Sequence, residues 1–183
     1  MAINLQKGQR EAIKAPVFTI GLGWDTNSSS TGQEFDLDAS VFMLGQNDKL
    51  LSDAHFVFYN NLQSPDGAVC HSGDNRDGEG EGDDEQVVVD LTKAPASMTQ
   101  LCIVVTIHEA LQRKQNFGQV RNAFIRIVDV SGAELVKYEL DEDFSVETAV
   151  EFGRLYLRNG EWKFEAVGAG MKGGLEDYLK RFR

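Results

Sequence analysis

FGRLYLRNGEWKFEAV, residues 152–167, decides the fold. Asn159-Gly160 stands between two apolar runs, and this dipeptide accepts the positive φ angles that a two-residue hairpin turn demands. Beyond the turn, Trp162, Phe164 and Ala166 alternate with Lys163 and Glu165, the period of a strand with one face on a core. Working outward, residues 16–22, 35–44, 55–59, 86–91, 101–108, 123–129 and 134–140 are short apolar segments rich in β-branched and aromatic side chains, and each reads as a strand. Within 35–43, Phe35, Leu37, Ala39, Val41 and Met43 share one face, while Asp36, Asp38 and Ser40 begin the other. Only residues 109–113 and 175–182 read as helices. Seven or more short strands between Gly, Asn and Asp turns predict an all-β fold, an antiparallel β-sandwich with a few short helices including one at the C-terminus. At 183 residues, with no linker and no repeat at a solenoid period, one domain over residues 1–183 is expected.

The chain carries a net charge of −11 with 42% hydrophobic residues, including 11 Phe. That balance excludes wholesale disorder. It also argues against a nucleic-acid partner, which would need a basic face to displace counterions. The N-terminal MAINLQKGQREAIKAP has no apolar core of a signal peptide, and no apolar run approaches a membrane span. Cys70 and Cys102 form no CxxC pair, so a reduced, cytoplasmic setting is expected, with a peripheral position at the inner membrane face as the alternative.

The acidic segment GDNRDGEGEGDDE, residues 73–85, holds seven carboxylates against Arg76, a net −6 that exceeds half the charge of the chain. Carboxylates about 4 Å apart repel by roughly 1 kcal/mol per pair in water and about 4 kcal/mol at an effective dielectric of 20. A compact arrangement therefore calls for a cation. Ca²⁺ takes ~6–8 oxygen ligands, and Gly73, Gly78, Gly80 and Gly82 let a backbone wrap around one. The EF-hand register fails from either start. From Asp74, position six is Glu79; from Asp77, position twelve is Val88. Asp36 and Asp38 on a rigid strand, with Asp25 nearby in sequence, could complete a composite site, and the number of carboxylates suits two ions.

These stretches resemble a known family. GLGWD (21–25), FDLDAS (35–40), FYNN (58–61), GDNRDGEGEGDDE (73–85), VVTIHEA (104–110), FGQV followed by NAFIRIVD (117–129) and NGEWKFEAVG (159–168) look like the TerD family, named for tellurium resistance and including general stress proteins. The resemblance implies a calcium-binding β-sandwich of the bacterial stress response, linked to resistance against tellurite, phage and chemical damage, with no established enzymatic activity. Carried over residue by residue, it implies metal ligands at Asp25, Asp36, Asp38, Asp74, Asn75, Glu79, Glu81, Asp83, Asp84 and Glu85. Glu81 stands where the family often has Asp. Asp77 stands where Thr is usual and is left out. Catalytic residues and organic cofactors are expected to be absent.

Other features take bland readings. GAGMKG, residues 168–173, matches G-x-G-x-x-G, but too little chain follows to build a dinucleotide site, and a flexible connector is expected. His55, His71 and His108 lack zinc spacing and read as core or edge residues. In the tail, Leu175, Tyr178, Leu179 and Phe182 share one helical face that should pack on the sandwich; the alternative is docking to a partner or an anionic membrane. The expected function is a non-enzymatic, Ca²⁺-dependent interaction module. Its partners would be other stress-response or tellurium-resistance proteins, a membrane-bound complex among them. Tellurite is an anion that the −6 segment would repel, so no direct capture is expected. The rival is a metal-dependent hydrolase or transferase using the same acidic cluster.

Overall fold

The computed structural model describes residues 3–25, 36–72, 83–140 and 146–183. Among them, twelve strands form two sheets of six packed face to face. The first sheet has the order β1 (Ile3–Leu5), β10 (Glu134–Glu139), β9 (Phe124–Asp129), β3 (Val17–Gly23), β7 (Glu85–Asp90) and β6 (Val69–His71). The second has β2 (Arg10–Ala12), β12 (Glu161–Met171), β11 (Ala149–Arg158), β8 (Gln100–Ile107), β4 (Leu37–Leu44) and β5 (Phe56–Val57). The Asn159-Gly160 hairpin forms as the sequence predicts, with φ values of 53° and 75° and Arg158 paired to Glu161.

Alternation places the core. Leu37, Ala39, Val41 and Met43 of β4 join Ile103 and Val105 of β8, Phe18, Ile20 and Leu22 of β3 and Ile125 and Ile127 of β9 in one cluster between the sheets. The opposite faces of β4 and β8 are also apolar at Phe42, Leu44, Cys102 and Val104. This second layer is covered by α2 (Leu175–Phe182), whose Tyr178 and Phe182 are buried against it. The helix therefore packs on the sandwich through the face read from sequence. A polar knot lies beneath it. Arg154 pairs with Glu151 and Asp48 and donates to Gln100 Oε1 at 2.8 Å, while its guanidinium lies 5.8 Å from the Phe182 ring centre. A shorter helix, α1 (Ala110–Arg113), follows β8.

Three differences from the expected fold have local causes. The pairing is not wholly antiparallel, because β1 runs parallel to β10. β1, β2 and β6 are three-residue strands, too short to display a period, and were not legible as strands. GAGMKG is not a connector along its length: β12 continues through Met171, opposite Ala149. Its glycine is used in a bulge. The register with β11 shifts between Glu151 and Gly153, and Gly168 takes φ 61° beside Tyr138, whose hydroxyl lies 2.2 Å from where a Cβ would stand.

Candidate metal centre

Three strand ends meet at one end of the sandwich. There β3 runs out toward Trp24 and Asp25, β4 begins after Asp36, and β7 begins after Asp83 and Asp84. Asp84 N donates to Leu22 O at 2.8 Å, Asp25 N to Arg121 O at 3.1 Å and His108 N to Asp36 O at 2.8 Å. The backbone thereby fixes five of the sequence-predicted acidic positions around this end: Asp25, Asp36, Asp38, Asp84 and Glu85.

Glu85 is the most committed of them. β5 pairs only with Val41 and Phe42, so the first half of β4 lies beyond the reach of this edge strand. Glu85, 2% exposed, crosses from the other sheet, and its Oε2 accepts the Ala39 N–H at 2.7 Å. The same oxygen lies 3.5 Å from Nε2 of His71, and both side chains are 1% exposed. A side chain thus supplies a hydrogen-bond acceptor that a longer edge strand would have supplied. Asp36 and Asp38 are likewise buried, at 5% each. Asp84 Oδ2 accepts Trp24 N at 3.0 Å, and Asp25 Oδ2 accepts Asn122 Nδ2 at 2.7 Å.

Asp83 takes another direction. It lies over the outer face of β3, where its carboxyl carbon is 2.3 Å from the position a Cβ on Gly21 would occupy. Arg126 holds it with two bonds, Nε to Oδ1 at 2.8 Å and Nη2 to Oδ2 at 3.1 Å, and also reaches Glu134. The hydrogen bond to Asp83 is the main influence pushing the Arg126 pKa up. Asp83 is thus held by a cation from the chain itself.

Asp74, Asn75, Glu79 and Glu81 lie outside the described residues. Among the described residues, no group of three or more His, Cys, Asp or Glu side chains is arranged as a metal cluster. The donors that are described nevertheless suit a hard dication. They are oxygens, and three of the carboxylates, Asp36, Asp38 and Glu85, are buried. Trp24 belongs to this end as well: its indole is 5% exposed, and Nε1 has no hydrogen-bond partner among the described residues.

Sequence reasoning missed His71, Arg126 and the inter-sheet role of Glu85. The first had a signal. Once residues 69–71 are paired with β7, His71 stands opposite Val87 and therefore shares a face with Glu85.

Known proteins agree with this architecture. A TerD domain profile matches residues 1–182. General stress protein 16U of Bacillus subtilis is 51% identical over 96% of this chain and 94% of its own length. Tellurium resistance protein TerD of Serratia marcescens is 51% identical over 100% of this chain and 97% of its own. The crystal structure of a homologue of telluride resistance protein (TerD) from Streptomyces coelicolor A3(2) superposes with a TM-score of 0.69 at 21% identity, covering 90% of this chain and 95% of that one, a likeness of fold. Profile, relatives and fold together place this chain in the TerD domain family, among proteins named for tellurium resistance and general stress.

Proposed function

We propose that this chain is a calcium-binding interaction module of the bacterial stress response, whose acidic end binds metal and carries out no reaction. One observation carries the reading: buried Asp36 and Asp38 at the start of β4, Asp25 after β3 and Asp84 before β7 stand at strand ends on one end of the sandwich, and residues 73–82, just before Asp83 in sequence, add four more carboxylates and Asn75. Asp25, Asp36, Asp38 and Asp84 are the described residues that would hold Ca²⁺, together with Asp74, Asn75, Glu79 and Glu81. Two ions would use this many donors. The metal would supply positive charge that lets the acidic segment compact. Glu85 keeps two sheets together at the base of that segment, and Asp83 stays with Arg126.

A surface for a protein partner adjoins this end. A groove of about 530 Å³ is lined by Ile107, Ala110, Thr148 and Gly173, with Leu111 at 78% exposure. An exposed Leu next to such a groove would suit binding another stress-response protein, with Ca²⁺ at the acidic end controlling the contact. Residues 74–85 are too negative to attract tellurite, so a role in resistance runs through partners. No helix among the described residues is long and apolar enough to cross a membrane, and the proposed location is cytoplasmic.

Linkage sets the expected size of the metal effect. At 100 times its dissociation constant, one Ca²⁺ site adds about 2.7 kcal/mol, which for a domain of this length raises the melting temperature by roughly 5–10 °C. Thermal melts and limited proteolysis should show this rise together with protection of residues 73–82. Mg²⁺, which keeps more of its water, should do little at equal concentration. Unchanged melting and unchanged cleavage with millimolar Ca²⁺ would refute the proposal.

A further inference from the structure

Toward the other end of β4 from Asp38, the chain assembles three side chains that the acidic end does not use. Ser52 Oγ lies 2.6 Å from His55 Nδ1, and His55 Nε2 lies 3.1 Å from Asp66 Oδ2. Asp66 arrives from a separate turn and is oriented in its own right, with Oδ1 accepting Ser64 Oγ at 2.7 Å and Ala68 N at 2.9 Å. Burial raises the Asp66 pKa, but the hydrogen bonds from Ser64, Ala68 and His55 outweigh it and hold the carboxyl below its ordinary value. An ionised carboxylate only accepts, so the ring hydrogen belongs on Nε2, and Nδ1 offers its lone pair to the Ser52 hydroxyl.

The surroundings fix this chain of groups. Asn61 Nδ2 donates to Ala54 O at 3.1 Å and to Phe56 O at 2.7 Å, bracing the turn that carries His55. Ser52 precedes a three-residue turn, the place where a serine ordinarily accepts a backbone N–H, yet its side chain makes no such cap. It is directed to the imidazole instead. The imidazole and carboxylate are mostly covered, at 15% and 17% exposure, while Ser52 faces solvent. A hydroxyl within reach of a base, with that base oriented by a third group, is the arrangement that activates a serine.

We propose that Ser52 is an activated nucleophile that accepts an acyl group from a small activated acyl donor of the thioester or ester class, with His55 as its base and Asp66 as the positioning residue. In the step, Ser52 Oγ forms a bond to the carbonyl carbon and its proton passes to His55 Nδ1. The tetrahedral adduct then collapses, the C–S or C–O bond breaks, and the leaving thiolate or alkoxide takes that proton from His55. The product is an ester of Ser52 and a free thiol or alcohol, with no net change in oxidation state.

The test uses the full chain with an acetyl thioester and, separately, a fluorophosphonate, which loses fluoride to an activated serine. Mass spectrometry of intact protein and peptides should find one adduct, on Ser52, with each reagent. Ser52→Ala should abolish it. His55→Gln should slow it by about 100-fold, near the lower end of what a general base contributes, and Asp66→Asn less, with circular dichroism unchanged. No adduct on the native protein would overturn the proposal. So would labelling at an equal rate after unfolding in urea or in His55→Gln, and so would phosphonylation without acylation.

Discussion

Replacing Glu85 with Ala should destabilise the protein by about 3 kcal/mol, the upper part of the range for leaving a buried donor without its acceptor. The loss has a definite address. Ala39 N–H would give up its 2.7 Å bond to Glu85 in a strand segment that β5 does not reach, and the buried His71 would face a void where the carboxylate stood. Glu85→Gln retains an acceptor oxygen of nearly the same reach and should cost about 1 kcal/mol, the net worth of one ordinary hydrogen bond. Urea melts would rank the three proteins, and amide exchange would show whether Ala39 alone loses protection first. Equal stability of the Ala variant and the parent would remove Glu85 from its place as an inter-sheet clamp.

The second large effect is at the other layer of the core. Phe182→Ala should cost about 3 kcal/mol, the low end for truncating a buried Phe, because a terminal helix can detach and relieve part of the cavity. Phe182 is 1% exposed, its ring centre is 5.1 Å from that of Phe42, and its carbonyl accepts Leu50 N at 2.7 Å. Without it, α2 would leave Phe42, Val104 and Cys102 uncovered. Cys102 then becomes a reporter. Its thiol is 0% exposed, and burial pushes its pKa well up, so it should be inert toward thiol reagents in the parent and reactive in the variant. A variant that loses stability but keeps Cys102 inert would mean that the helix stays docked on Tyr178 alone.

The sheets and the candidate metal centre were legible to different degrees. Alternation in residues 35–44 and the Asn-Gly turn located β4, β11 and β12 because one face of each is buried in a single core. The same rule could not see β1 and β2, whose partners lie far away in sequence, or β6, which at three residues is too short to show alternation. Nor could it see that β1 would run parallel. Position within the acidic stretch also said little about direction. Asp83 and Glu85 are two residues apart, and spacing alone would place them on one face. A bend before β7 sends Asp83 over Gly21 to Arg126, 43 residues on, while Glu85 enters the core. Such long-range partners decide what each carboxylate can do, and local pattern does not encode them. The helix face, by contrast, was readable from Tyr178 and Phe182 because a four-residue spacing repeats the same side of a helix.

The most direct test of the central reading is a calorimetric titration of the metal-free protein with Ca²⁺. Saturable binding of two ions is expected. Asp36→Asn with Asp38→Asn should abolish binding of at least one of them while the circular dichroism spectrum is retained. Glu85→Gln should keep the parent's stoichiometry. No heat of binding up to millimolar Ca²⁺ would rule out a calcium site here, as would two ions bound undiminished by the paired Asp36 and Asp38 substitutions.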